Sequence, residues 1–135
     1  MSAHEADALA MPLILFVEDE VLISDMVVNA LEEAGFSALV ASDGETGMAL
    51  LAQRGDEIRG LITDINLNTA MDGWDLAQAA REMNGDLPIV YVSGASGHEW
   101  ASRGFPDSLI VTKPFAPAQV VVAISSLLVA SDTTT

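Results

Sequence analysis

The 135-residue chain contains no cysteine, which excludes disulfide bonds, zinc–thiolate sites and thiol nucleophiles. Basic residues are scarce, with 5 lysines and arginines against 20 aspartates and glutamates and a formal net charge of −15. A phosphate backbone requires a basic face, and an anionic lipid surface attracts lysine and arginine. We therefore expect no nucleic-acid partner and no membrane partner. The only lysine is Lys113, since every other basic residue is an arginine.

Targeting signals are missing as well. Residues 1–10 contain Glu5 and Asp7 but no basic residue, so they lack the positive segment with which a signal peptide begins. The longest early apolar run, Met11 to Val17, is too short to span a membrane. We expect a cytoplasmic protein, with a flexible N-terminal segment at 1–10 and a flexible polar tail at 131–135.

The apolar residues that make up 50% of the chain alternate between strand-like and helix-like segments. In the first helix, Leu22, Met26, Ala30 and Leu31 recur at helical spacing. Strands are predicted at 13–17, 36–41, 60–64, 88–92 and 109–112, and helices at 21–34, 42–53, 72–83, 98–103 and 116–130. This alternation predicts one α/β domain over 11–130, with a parallel sheet covered on both faces.

Polar side chains stand where the predicted strands end. Glu18 and Asp19 follow the first strand, Asp64 ends the third, Ser93 follows the fourth and Lys113 follows the fifth. The carboxyl ends of parallel strands share one edge of a sheet, and ligands bind there. Singly, these residues are typical of helix caps, turns or solvated charges. Their arrival from four separate segments is the stronger observation.

The converging residues have the chemistry of a magnesium-dependent phosphoryl-transfer site. Crowded carboxylates repel each other at neutral pH unless a cation joins them, and oxygen ligands suit a hard ion such as Mg²⁺. One carboxylate can act as a nucleophile and form an aspartyl phosphate. The transfer then requires charge neutralisation by a metal, an ammonium and a hydroxyl donor. Asp64, Asp19, Lys113 and Ser93 are residues of the right types.

Five short motifs carry a resemblance to a known family. They are Glu18-Asp19, Asp64 within LITDINL, Met71-Asp72-Gly73, Ser93-Gly94 and Lys113-Pro114-Phe115. In this order and spacing they resemble the receiver domain of bacterial two-component response regulators, over about residues 11–130. The resemblance implies a flavodoxin-like, three-layer α/β/α sandwich with five helices and a five-stranded parallel sheet of order 2-1-3-4-5.

The resemblance also implies a phosphoacceptor and a metal site. Asp64 is the phosphoacceptor, and it receives a phosphoryl group from a histidine kinase or a histidine phosphotransfer protein. Asp19 and Asp64 bind Mg²⁺ with the backbone carbonyl of Asn66, while Glu18 acts mostly through water. The chain is accordingly a signalling domain rather than a turnover enzyme.

Further roles are implied for the residues that bind the phosphoryl group. Lys113 pairs with it, and Ser93 is the hydroxyl switch residue that turns toward it on activation. The peptide bond between Lys113 and Pro114 is cis in this resemblance. Such bonds are essentially confined to proline.

Three departures from the family pattern bear on switching. Ile110 occupies the position three residues before Lys113 where the family usually has an aromatic residue. The usual coupling, in which movement of the switch hydroxyl is linked to movement of that aromatic ring, therefore cannot operate. The loop after Asp64 lacks the proline that is common in the family, and it looks longer than the family's usual loop by one residue. The stretch from Ser93 to Lys113 looks short. We hypothesise that residues 94–107 carry the switch instead.

Three alternatives belong to other functional classes. A pseudo-receiver would bind partners without phosphorylation, but the complete acidic pair, Asp64, Ser93 and Lys113 argue against it. A Mg²⁺-dependent phosphatase with an Asp-x-Asn nucleophile motif would need a larger cap and a second downstream acidic pair. A flavin-binding protein of this fold would need a phosphate-cradling loop after the first strand, where the three acids from Glu18 onward would repel phosphate.

The last predicted helix has no charged residue between Pro114 and Ser131. Its spacing lets Val120, Val121, Ile124, Leu127 and Leu128 face the sheet, and leaves Val122 and Val129 on another face. We hypothesise a protein contact or homodimer through this helix, the alternative being that it packs under the fourth helix. The downstream target is unknown, and we expect a stand-alone receiver or a piece of a longer regulator.

Overall fold

Strands and helices alternate along the described part of the computed structural model, which comprises residues 11–67, 70–94, 105 and 107–133. The strands are β1 Leu13–Val17, β2 Ser37–Ala41, β3 Ile58–Asp64, β4 Ile89–Ser93 and β5 Ser108–Thr112. The helices are α1 Val21–Glu33, α2 Gly44–Arg54, α3 Gly73–Met83 and α4 Pro117–Thr133. The predicted alternation is confirmed. The short helix predicted at 98–103 lies outside the described residues.

The five strands form one parallel sheet in the order β2-β1-β3-β4-β5. This is the order 2-1-3-4-5, and the predicted flavodoxin-like fold is therefore confirmed. The chain adds β2 on one side of β1 and β3 on the other, so the strand order reverses between β1 and β3. Open α/β sheets bind ligands beyond the carboxyl ends of the strands at this position.

Alternate side chains of the central strands enter two separate apolar layers, because successive residues of a strand point to opposite faces. Leu15 belongs to a buried cluster that includes Leu76 of α3. Phe16 belongs to a second cluster that includes Ile124 of α4. Burial on both faces explains why β1 and β4 are continuous apolar runs in the sequence.

The predicted bounds need small corrections. β3 begins at Ile58, two residues before the predicted start, and β2 begins one residue after Phe36, whose amide donates to the Leu31 carbonyl at 2.9 Å. β5 begins at Ser108, and β4 begins at Ile89 and runs on to Ser93. The last helix continues to Thr133, past its predicted end at residue 130 and into the segment predicted to be a flexible tail.

The apolar repeat of α1 marks the helix but not its buried face. Leu22 is 80% exposed and Met26 is 51% exposed, whereas Ser24, Val27 and Leu31 are buried. The Ser24 hydroxyl donates to a backbone carbonyl of the same helix at 3.0 Å. A serine satisfied in this way can replace an apolar residue on the buried side, which periodicity alone does not reveal.

Helix α4 divides as its spacing predicts. Val120, Ile124 and Leu128 are buried under the sheet, while Val122 is 66% exposed and Val129 is 63% exposed. Within the described ranges, no helix combines the length and the apolar character needed to cross a bilayer.

Candidate functional site

The carboxyl edge of the sheet carries the polar residues that the sequence singles out. Glu18 directly follows β1, and its amide continues the pairing with β2 by donating to the Ala41 carbonyl at 3.0 Å. Asp64 is the last residue of β3 and Ser93 the last of β4. Lys113 directly follows β5. The sheet register thus gathers side chains from distant parts of the chain on one edge.

Lys113 joins two of the acids. Its Nζ donates to Asp64 Oδ2 at 3.0 Å and lies 3.5 Å from Glu18 Oε1. Asp64 and Glu18 are almost completely buried, at 3% and 2% exposure, and the lysine side chain is 23% exposed. Two buried carboxylates with one ammonium between them leave a net negative charge, which favours an additional cation.

The pKa of the Glu18 carboxyl reflects its burial and the neighbouring negative charge. Burial and the negative charge of Asp64 raise the pKa of Glu18 from 4.5 to about 7, against the opposing effects of the Glu20 amide and Lys113. Glu18 Oε2 accepts the Glu20 N–H at 3.2 Å. Within the described part of the chain, the buried Glu18 Oε1 accepts no hydrogen bond, because Lys113 Nζ at 3.5 Å is an ion-pair contact only.

The pKa of Lys113 is also raised, which in a lysine favours the charged form. Partial burial by itself would lower the pKa of its ammonium. The hydrogen bond and charge of Asp64, with the charges of Glu18 and Glu20, outweigh this effect and raise the pKa above its ordinary value. The side chain is therefore a fixed positive charge beside the Asp64 carboxylate.

An oxygen-rich donor set suited to Mg²⁺ lies beside this charge network. Glu18, Asp19 and Glu20 each offer a carboxylate oxygen, and these three oxygens lie within 4.8 Å of one another. Glu18 Oε1, which accepts no hydrogen bond, is a buried acceptor that a cation or its water would satisfy. Hard divalent ions prefer carboxylate, carbonyl and water oxygens. The residues present therefore fit a Mg²⁺ ion.

The backbone around Asp64 is held by several contacts. The Asn66 amide donates to Asp64 Oδ1 at 3.1 Å, and the Thr63 hydroxyl donates to the Asp64 carbonyl at 3.0 Å. The Gly73 amide donates to the Ile65 carbonyl at 2.9 Å, which closes the loop between β3 and α3. Each Asp64 carboxylate oxygen accepts a hydrogen bond, one from Asn66 and one from Lys113.

Ser93 and Pro114 complete the set of predicted residues at this edge. Ser93 is fully buried, pairs with Thr112 in the sheet register and accepts the Lys113 N–H on its carbonyl at 2.8 Å. The peptide bond between Lys113 and Pro114 is cis. Ile110 lies in β5 beside Tyr91 of β4 and packs against the cluster that α3 covers.

Two features of the site escape the sequence reading. Gly73 approaches the backbone of Asp64 so closely that a Cβ atom at position 73 would lie 2.3 Å from the Asp64 carbonyl oxygen. The Met71-Asp72-Gly73 motif is visible in the sequence, as the start of a helix and as one of the motifs that carry the resemblance, but neither observation predicts this close contact. Glu20 belongs to the acidic group although the sequence reading assigns it no role. The only indication of this in the sequence is that Glu20 directly follows Glu18-Asp19.

Known proteins resemble this chain in sequence and fold. Residues 14–125 match the family model described as response regulator receiver domain. The response regulator receiver protein CpdR of Brucella abortus is 31% identical over 123 residues, which cover 90% of this chain and 100% of that protein. A solved response regulator receiver protein from Sinorhizobium medicae is 41% identical, superposes with a TM-score of 0.86, and is matched over 91% of this chain and 98% of its own.

A longer relative shows the same similarity over part of its length. The DNA-binding dual master transcriptional regulator RpaA of Synechocystis is 30% identical over 126 residues, which cover 90% of this chain and 51% of that protein. The chain thus spans about half the length or less of several curated relatives that it matches.

Proposed function

Because this chain belongs to the response regulator receiver family, we propose that it accepts a phosphoryl group on Asp64 from a phosphohistidine donor in a Mg²⁺-dependent reaction. The donor is a histidine kinase or a histidine phosphotransfer protein, and the output is a change in protein–protein contacts. One observation carries the proposal. The buried Asp64 carboxylate lies 3.0 Å from the Lys113 ammonium, at the carboxyl edge of the sheet and beside a group of acids.

The transfer itself requires a carboxylate nucleophile. An Asp64 oxygen attacks the phosphorus atom, a P–O bond forms, and the P–N bond of the donor breaks with its electron pair returning to the imidazole nitrogen. The backbone contacts of Asp64 hold this carboxylate in one orientation before the donor arrives. Such pre-orientation lowers the entropic part of the barrier.

Asp19, Asp64 and the Asn66 carbonyl are the residues we assign to the metal, with Glu18 acting through water. When bound, Mg²⁺ supplies positive charge that neutralises the phosphoryl oxygens. The acids also explain why the site requires this charge, because a phosphodianion would otherwise approach several carboxylates. The buried Glu18 Oε1, which accepts no hydrogen bond, supports the assignment.

Lys113 and Ser93 bind the product in this proposal. The ammonium now paired with Asp64 Oδ2 moves its hydrogen bond to a phosphoryl oxygen, and the Ser93 hydroxyl adds a second donor. Ile110 provides no ring that could follow the hydroxyl, so we assign the conformational change to residues 94–107. Most of these residues lie outside the described ranges.

Intact-mass measurement with a small phosphodonor and Mg²⁺ tests the proposal. The native protein is expected to gain the mass of one phosphoryl group, and Asp64→Asn is expected to gain none. Chelation of Mg²⁺ should abolish the gain in the native protein. A native protein that stays unmodified with donor and Mg²⁺ would instead favour a pseudo-receiver that binds partners without phosphorylation.

A further inference from the structure

The first turn of α2 packs against the loop that leads from Asp64 to α3. Gly44 is buried, and a Cβ atom at this position would lie 2.5 Å from the Met71 carbonyl oxygen and 3.0 Å from the Met71 Cβ and Cγ atoms. Real Cβ atoms do not approach a backbone oxygen so closely. Only glycine therefore permits the loop to lie against this turn of the helix.

Met71 is held on two further sides. Its amide donates to Glu45 Oε1 at 3.4 Å, and its side chain packs against the buried apolar cluster beneath α2 and α3. The next residue, Asp72, caps α3 through a reciprocal pair of hydrogen bonds with Asp75 at 2.9 and 3.2 Å. The path of the backbone at Met71 and Asp72 is thus fixed against α2 and α3 together.

This fixed stretch continues directly into the proposed phosphoryl site. Gly73 follows Asp72, its amide donates to the Ile65 carbonyl at 2.9 Å, and a Cβ atom at this position would lie 2.3 Å from the Asp64 carbonyl oxygen. The Asn66 amide in turn donates to Asp64 Oδ1. An unbroken series of contacts therefore runs from Gly44 through Met71 and Gly73 to the backbone that carries the phosphoacceptor.

We propose that Gly44 and Glu45 are positioning residues for the phosphoacceptor loop. Through Met71 they set the path of the backbone that reaches Asp64, and thereby the position of the Asn66 carbonyl. The inference rests on the proposed function, because it is the proposed function that assigns the Asn66 carbonyl to the metal. If Gly44 and Glu45 act in this way, Mg²⁺ affinity depends on their contact with Met71, although none of these three residues binds the metal or accepts the phosphoryl group.

The test compares two alanine substitutions in the same helix. Gly44→Ala forces the Met71 backbone away from α2. Gly47→Ala places its Cβ 3.0 Å from Val17 Cγ2 and 3.2 Å from Leu76 Cδ2, so it disturbs side-chain packing without touching the loop. Urea unfolding measures the stability cost of each, and calorimetric titration measures the Mg²⁺ dissociation constant.

Gly44→Ala is expected to raise the Mg²⁺ dissociation constant by about 10-fold, the size of effect typical of residues that orient metal ligands. Gly47→Ala is expected to lower stability and leave the constant within about 2-fold of the native value. Equal loss of Mg²⁺ affinity in both variants would overturn the proposal, because general destabilisation would explain it. So would unchanged affinity in folded Gly44→Ala.

Glu45 provides a second test that does not depend on the folding of Gly44→Ala. Glu45→Ala removes the acceptor for the Met71 amide, whereas Glu45→Gln keeps an acceptor oxygen and removes the charge. The alanine variant is expected to weaken Mg²⁺ binding and the glutamine variant to restore native affinity. Equal affinity in the two variants would contradict a positioning role for Glu45.

Amide exchange without Mg²⁺ separates this inference from the proposed function. The Met71 and Gly73 amides are expected to exchange faster in Gly44→Ala than in Gly47→Ala at matched stability. If the native protein binds no Mg²⁺, the proposed function fails. Faster exchange of the Met71 and Gly73 amides in Gly44→Ala would still establish that Gly44 holds the loop in place. Equal exchange in the two variants would refute the loop contact itself.

Discussion

Replacing Glu18 with glutamine is expected to stabilise the Mg²⁺-free protein at alkaline pH. The structure raises the pKa of Glu18 from 4.5 to about 7, mainly by burial and then by the charge of Asp64. An acid whose folded pKa exceeds its unfolded value contributes most stability below the unfolded pKa and loses it as pH rises through the folded pKa. The loss therefore falls between about pH 4.5 and pH 7.

The magnitude follows from the same shift. At about 1.4 kcal/mol per pKa unit, the ionised Glu18 costs the folded state up to about 3 kcal/mol. Glutamine resembles the protonated carboxyl in shape and still accepts the Glu20 amide, but it never ionises. The native protein and Glu18→Gln should thus have similar unfolding free energies at about pH 4.5, and the variant should be more stable by up to about 3 kcal/mol at about pH 8.5.

Urea unfolding in a chelating buffer at a series of pH values measures this difference. Glu20→Gln is the matched control, because Glu20 is exposed and neighbours the same site. It is expected to shift stability by no more than about 0.5 kcal/mol at any pH. A constant difference between the native protein and Glu18→Gln across the pH range would show that ionisation of Glu18 does not destabilise the fold, as would a variant that is less stable at alkaline pH.

Three further perturbations follow from the packing. Gly73→Ala places a Cβ 2.3 Å from the Asp64 carbonyl and should cost about 2 kcal/mol or more by urea unfolding, whereas Gly85→Ala meets nothing within 4 Å and should be near neutral. Gly60→Ala approaches an isoleucine side chain at 2.9 Å, and a loss of about 1 to 3 kcal/mol is expected because that contact can only partly relax. Val122→Asp, at an exposed position of α4, should leave stability unchanged but abolish any dimer in sedimentation with a phosphoryl analogue; native protein that stays monomeric would contradict the dimer hypothesis.

The fold could be predicted because each strand has a local signature in the sequence. β1 and β4 are apolar runs that end at polar residues, and burial on both faces gives such runs no alternation. The helix bounds were similarly close where Asp43 and Asp72 supply caps. The buried face of α1 was not predictable in the same way, because Ser24 satisfies its hydroxyl within the helix and takes an apolar position.

The site likewise has features that the sequence predicts and features that it does not. Residues at strand ends converge because parallel topology demands it, so Glu18, Asp64 and Lys113 meet although Lys113 and Asp64 are 49 residues apart. The roles of these residues came from the resemblance and not from spacing. The contact between Gly44 and Met71 had no local signal, because it depends on how two loops pack after the sheet has formed.

Chemical trapping of the phosphorylated residue shows whether Asp64 is the residue that accepts the phosphoryl group. After incubation with a phosphodonor and Mg²⁺, borohydride reduces an aspartyl phosphate to homoserine, and peptide mass mapping locates the change. We expect homoserine at position 64 and unmodified acids at 18, 19 and 20. Reduction at another acid, or none in protein that has been shown to be folded and Mg²⁺-loaded, would contradict it.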